Sequence, residues 1–226
     1  MKLIVITQPF FFDQEATAIQ NLLDWGIDLI HIRKPESAIR DCATLLTSIP
    51  ATYHNRIVLH DHFELTANYQ LYGIHLNRRN SKTPGTFRGS LSRSCHSLEE
   101  LKTHKPYFNY LFLSPIFNSI SKQGYESAFN HDTLTAAAQQ SIIDSRVVAL
   151  GGVAVENIPL LKTYGFGGAA LLGDVWQRLG DPDFERYILR LVAVANGWWL
   201  VESPAISPHS ATRSTFLSLT FQIDKT

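Results

Sequence analysis

The chain has 226 residues, of which 45% are hydrophobic, 11% aromatic and 18% charged, a globular composition sized for one large domain or two small ones, and unlike a disordered chain or a coiled coil. Twenty Lys and Arg balance twenty Asp and Glu, so no bulk field attracts nucleic acid or an acidic membrane, and any anion site must be local. Cys42 and Cys95 are too few for a disulfide framework or a zinc ribbon, and no apolar run reaches the length of a signal peptide or a membrane span, which makes the cytoplasm the expected compartment.

Short β-branched apolar runs alternate with stretches of helical period from the first residues onward. Strand Leu3 to Thr7 is followed by a helical stretch Gln14 to Asp24, with Ala16, Ile19, Leu22 and Leu23 on one face. Strand Asp28 to Arg33 leads to helix Ser37 to Thr47, strand Arg56 to His60 to helix Phe63 to Tyr69, and strand Gly73 to Leu76 to a gap too short for a regular helix. Strands Phe87 to Leu91, Asn109 to Leu113, Arg146 to Leu150 and Gly168 to Leu172 follow, with helices Leu98 to His104, Asp132 to Ile143 and Glu156 to Tyr164 between them. A last helix, Asp183 to Ala195, ends before Asn196-Gly197. Eight strands without a linker predict a single closed (β/α)8 barrel over residues 1–196 rather than an open doubly wound sheet. Residues 197–226 read as a C-terminal extension, poorly ordered from Ser203 on, whose Trp198-Trp199 pair covers an apolar patch or points to a homodimer.

Barrels of this kind carry chemistry where each strand runs out into its following loop. Alternation puts His31 and Arg33 on one face, pointing into the mouth. A salt bridge and a phosphate site account equally well for such an arginine, because a buried unpaired charge is costly. His60-Asp61-His62 and His75 ending the next two strands invite a metal. The spacing matches no zinc signature, whereas one carboxylate beside basic residues suits Mg2+ shared with a polyphosphate; a helix N-cap is the plainer use of Asp61. Gly151-Gly152 and Leu172-Gly173 follow the seventh and eighth strands, the loops where such barrels often bind phosphate, with a short extra helix at Asp174 to Arg178. The long segment from Ser114 to Asn130 contains Ser119, Ser121 and Lys122, which can clamp a phosphorylated ligand or merely form a solvated tip. Ser94, Cys95 and His96 lack a third orienting group, so covalent catalysis is not expected.

Taken together, His31-Ile32-Arg33-Lys34-Pro35, His60-Asp61, Gly73-Ile74-His75-Leu76, Ser94-Cys95-His96-Ser97, Pro115-Ile116-Phe117 through Ser119-Ile120-Ser121-Lys122, and Leu150-Gly151-Gly152-Val153 resemble thiamine phosphate synthase and its TenI-type relatives, from Leu3 to about Ala195. The most specific piece is similar to the family pattern GPIFxTxTK. The resemblance implies a transferase joining a pyrimidine methyl diphosphate to a thiazole phosphate with Mg2+. Arg33 and Lys122 would hold the diphosphate, Asp61 and Asn80 the metal, and Ser94 the pyrimidine side. Ser119, Ser121, Gly151, Gly152, Leu172 and Gly173 would hold the thiazole phosphate, with His31, Lys34 and His60 as further substrate contacts.

The chain departs from the family pattern on one side. His31 and Pro35 stand where the motif QLREK has Gln and its final Lys, His60 where Asn precedes the metal-binding Asp, and Asn80 where a second Asp is expected. These changes weaken metal and diphosphate binding more than thiazole phosphate binding. They leave two alternatives: a TenI-like thiazole tautomerase, although Pro115 stands where the family's tautomerases carry a His, and a noncatalytic binder of thiazole or thiamine phosphate. The expected partners are small phosphorylated molecules.

Overall fold

The computed structural model describes residues 1–85, 87–117 and 129–197. Eight strands, β1 (Lys2–Ile6), β2 (Leu29–Ile32), β3 (Ile57–Leu59), β4 (Gly73–Leu76), β5 (Ser90–Cys95), β6 (Tyr110–Leu113), β7 (Val147–Leu150) and β8 (Gly168–Leu171), pair in sequence order, all parallel, and β8 returns to β1, closing the barrel. Helices α1 (Glu15–Asp24), α2 (Ile39–Ser48), α3 (Leu98–His104), α4 (His131–Gln139), α5 (Ile158–Thr163), the short α6 (Gly173–Trp176) and α7 (Phe184–Asn196) complete the single (β/α)8 fold.

Local chemistry accounts for the helix ends. The Ser97 hydroxyl accepts the Glu100 N–H at 3.1 Å to start α3, Asn130 accepts the Thr133 N–H at 2.8 Å to start α4, and Gly197, at φ 79°, closes α7. Alternation along the strands sorts side chains into two cores. Ile4, Ile6, Leu29, Val58, Phe112, Val148 and Ala170 fill the barrel, while Leu3, Val5, Ile30, Ile32, Leu111 and Leu113 pack outward against helix residues such as Ile19, Leu22 and Ile188.

Three expected elements shift. The fifth strand begins later than the Phe87 to Leu91 reading and takes in Ser94 and Cys95, so Ser94 lies within β5 rather than after it. Its serines at 90, 92 and 94 give no apolar signal because that face lines a polar part of the barrel. The Phe63 to Tyr69 stretch is a 3-10 turn at Phe63–Ala67, and the Glu156 to Tyr164 stretch splits into a 3-10 turn and α5, with Pro159 in its first turn. The extension from Trp198 onward, with its tryptophan pair, lies outside the described residues.

Candidate active site at the carboxyl rim

The strand faces that carry Leu29 and Val58 inside the barrel carry His31 and His60 one pleat higher, and His75 joins them from β4. His31 is fully buried; its Nδ1 meets His60 Nε2 at 2.9 Å, its Nε2 meets the Tyr110 hydroxyl at 2.8 Å, and its ring stacks on Phe112. His75 spans the Ser92 hydroxyl (2.9 Å) and the Ser94 hydroxyl (2.8 Å). Burial holds all three imidazoles neutral, pushing His75 down to about 3 and His31 and His60 well below their usual value, with Arg93 adding to the effect at His75 and the neighbouring His75 at the other two.

Three neutral imidazoles whose ring nitrogens lie within 4.8 Å of one another are a potential cation cage. Here His60 stacks on His75 at 4.2 Å with the planes 17° apart, so their in-plane lone pairs run side by side and do not converge on one ion. The cluster is a hydrogen-bonded stack under the mouth. With both ring nitrogens bonded inside the protein, His31 has no atom left for a substrate, which corrects its expected role.

Above this layer the main chain of Arg33 is pinned by its N–H to Thr7 Oγ1 at 3.0 Å. Among the described residues its guanidinium has no hydrogen-bond or ion-pair partner; burial, then the nearby Arg79, lowers its pKa. The neighbouring Lys34 is another correction. It is 1% exposed, and its ammonium donates to both Glu15 carboxylate oxygens (2.7 and 2.8 Å) and to the Gln8 and Phe10 carbonyls (3.0 and 2.6 Å). Burial pushes Glu15 up and Lys34 down while each restrains the other. Lys34 clamps the loop after β1 and is not available to a substrate.

Asp61 follows β3, and Asn77 builds the turn that faces it. The Asn77 side-chain oxygen accepts the N–H groups of Arg79 (2.9 Å) and Asn80 (3.1 Å), an Asx turn that turns both side chains toward Asp61. Asp61 Oδ1 then accepts from Asn80 Nδ2 (2.9 Å) and Arg79 Nη2 (3.2 Å), and Oδ2 from the Lys34 N–H (3.1 Å). The Asn80 amide cannot be flipped, because its Nδ2 also donates to the His60 carbonyl at 3.0 Å and reversal would set oxygen against two acceptors. Asp61 and Asn80, expected to hold Mg2+, therefore do not fit it: the carboxylate is enclosed by donors and Asn80 presents N–H rather than oxygen.

Across the rim the site is made of backbone. Gly151 has φ 95°, and a Cβ there would sit 2.9 Å from Pro115 Cα and Cβ, so this turn needs glycine on both counts. Gly152 has φ 62°, and its carbonyl is held by Asn157 Nδ2 at 3.0 Å. After β8, Gly173 opens α6, which the Trp176 indole fastens to the end of β1 through the Ile6 carbonyl at 2.7 Å. Among the described residues the N–H groups of Gly152, Val153, Gly173 and Asp174 donate to no protein acceptor. Two turns with such donors on the same barrel end have the chemistry of an anion cradle. Ser119, Ser121 and Lys122 lie outside the described residues. A separate groove of about 550 Å³ runs between α1 and α2, lined by Phe11, Asp41 and Leu45 among others and by no strand residue.

Sequence reasoning missed Glu15, Tyr110 and Ser92. The last two share an inward face with Phe112 and Ser94, a signal alternation held; Glu15 is brought to Lys34 only by the tertiary fold.

The family described as thiamine monophosphate synthase matches residues 3–175. A thiamine phosphate pyrophosphorylase from Bacteroides thetaiotaomicron has a solved structure that is 40% identical, covering 87% of this chain and 98% of that one with a TM-score of 0.80. The thiamine-phosphate synthase of Latilactobacillus sakei is 29% identical over 159 residues, 66% of this chain and 69% of that protein, and that of Cronobacter sakazakii is 26% identical over 188 residues, 78% and 87%. No helix among the described residues is long and apolar enough to cross a membrane. The chain belongs to the thiamine monophosphate synthase family.

Proposed function

We propose that this barrel acts in the cytoplasm as a thiamine phosphate synthase, joining hydroxymethylpyrimidine diphosphate to thiazole phosphate to give thiamine phosphate and pyrophosphate. The carrying observation is the half-buried Arg33 guanidinium, without a partner among the described residues, on the same rim as the Gly152 and Gly173 N–H groups, which find no acceptor among those residues. Those are two anion sites, one made of charge and one of backbone, as a reaction between two phosphorylated heterocycles needs. The C–O bond from the pyrimidine methylene to the diphosphate breaks, with its electron pair leaving on pyrophosphate. The thiazole nitrogen then gives its lone pair to the methylene carbon, forming the C–N bond of the thiazolium. No proton transfer is required.

In this reading Arg33 holds the departing diphosphate, Ser94, hydrogen-bonded to His75, faces the pyrimidine, and the two glycine turns take the thiazole phosphate. Ser119, Ser121 and Lys122 are proposed to complete the clamp. The test is formation of thiamine phosphate from the two purified substrates. Arg33→Ala should reduce kcat/KM by about 100- to 1000-fold, the scale of losing a charge-assisted phosphate contact in a desolvated site. Binding of thiazole phosphate without any product would refute the reading.

A further inference from the structure

The side chains around Asp61 satisfy a carboxylate with a guanidinium where the family resemblance leads one to look for a divalent cation. Asp61 is 8% exposed and Arg79 44% exposed, with Nη2 to Oδ1 at 3.2 Å. Asp61 thus anchors one edge of Arg79 while the rest of the guanidinium remains open to the rim. Asn80 adds an N–H at 2.9 Å and the Lys34 backbone another at 3.1 Å, so the carboxylate is satisfied without an ion. A cation entering here would have to expel Arg79, turn the Asn80 amide against two acceptors, and sit among the charges of Arg33 and Arg79. Mg2+ also demands a near-octahedral set of oxygens, and the side chains at this position offer one carboxylate.

We propose that Arg79, anchored by Asp61 and acting with Arg33, holds the diphosphate of the substrate in place of a divalent cation, so that diphosphate binding at this rim is independent of metal. The proposal rests on the synthase reading for the identity of the substrate, and on the geometry alone for the nature of the site. Guanidinium groups suit the task, because their fork matches two phosphate oxygens and they carry their charge at every working pH. Both arginines act on the Asp61 carboxylate, Arg79 through its ion pair and Arg33 through its nearby charge. The Asx turn of Asn77 fixes the Arg79 backbone by its N–H, which limits the entropy lost when the side chain closes on phosphate.

The test uses the whole chain and inorganic pyrophosphate as probe, followed by calorimetry in excess EDTA and again in Mg2+, with thiamine phosphate formation measured under the same two conditions. Pyrophosphate should bind in EDTA with an affinity close to that in Mg2+. Arg79→Gln should weaken binding in EDTA by about tenfold or more, and Arg79→Lys should recover part of it. The double substitution Arg79→Ala with Asn80→Asp frees Asp61 and adds a second carboxylate, so its pyrophosphate binding should come to require Mg2+. Failure to bind in EDTA, or an Arg79→Gln variant that binds there as tightly as the parent, overturns the proposal. Product formed with Mg2+ but not in EDTA overturns it while leaving the synthase reading standing. Arg79-dependent binding in EDTA with no product under either condition upholds the arginine site and removes the synthase reading.

Discussion

At the ends of β2, β3 and β4 the rim is made of side chains that hold one another, whereas at the ends of β7 and β8 it is made of backbone turns whose outward N–H groups find no acceptor among the described residues. On the first side His31, Lys34, Asp61 and Asn80 all have protein partners within hydrogen-bond distance; on the second, the Gly152 and Gly173 N–H groups have no acceptor among the described residues. A side-chain site can be rewired one residue at a time, because a new donor can satisfy an old acceptor, as Arg79 does for Asp61. A backbone site depends on φ and close packing, which only glycine allows at Gly151, so substitution there is met by strain instead of by a new partner. This is why the departures from the family pattern gather on one side of the mouth.

The largest effect that sharpens this contrast is at Lys34. Lys34→Met removes one member of a buried pair and leaves Glu15, 2% exposed, without its cation. Urea unfolding at neutral pH should show a loss of about 3–5 kcal/mol. Adding Glu15→Leu should return much of it, since a matched apolar pair avoids the desolvation of both charges. KM for either substrate should stay put in the folded fraction, and a marked rise in one of them would restore Lys34 as a substrate contact.

A smaller loss is expected on the backbone side. Gly151→Ala places a methyl against Pro115 and forces alanine to φ 95°, costing about 3 kcal/mol from overpacking and backbone strain combined. Because the turn it distorts carries Gly152, KM for thiazole phosphate should rise while that for the pyrimidine diphosphate stays near its original value. Equal rises in both would break the division of the rim into two sites.

Much of this was legible in the residue order. The alternation of strands and helices gave the barrel, and the glycine pairs after β7 and β8 marked the backbone side, because both signals are local in the chain. Alternation also put His31 and Arg33 on one face, but a face is not a depth. Two residues along a strand are about 7 Å apart, which separates the buried floor at His31 from the half-exposed rim at Arg33. The partners that decide the rest, Glu15 for Lys34 and Arg79 for Asp61, come from other loops, and no pattern within a strand announces them. β5 was hidden for the opposite reason: Ser90, Ser92 and Ser94 look like a turn until the polar interior they face is known.

The smallest effect, visible only in acid, tests the histidine floor itself. His31, His60 and His75 are held neutral by burial, each below the usual 6.5, so below that pH the unfolded chain takes up protons that the folded barrel refuses. Their contribution is therefore complete above about pH 6.5 and is lost as pH falls toward the folded values, the direction of a depressed pKa. For one such histidine the loss between about pH 7 and about pH 5 is about 2 kcal/mol. His31→Gln keeps a side chain able to bond His60 or Tyr110 but cannot be protonated, so its unfolding free energy in urea should fall less over that interval than that of the parent, by about that amount. A variant whose stability drops just as steeply would mean that His31 is already charged in the folded barrel, and the picture of a neutral stack beneath two anion sites would have to be abandoned.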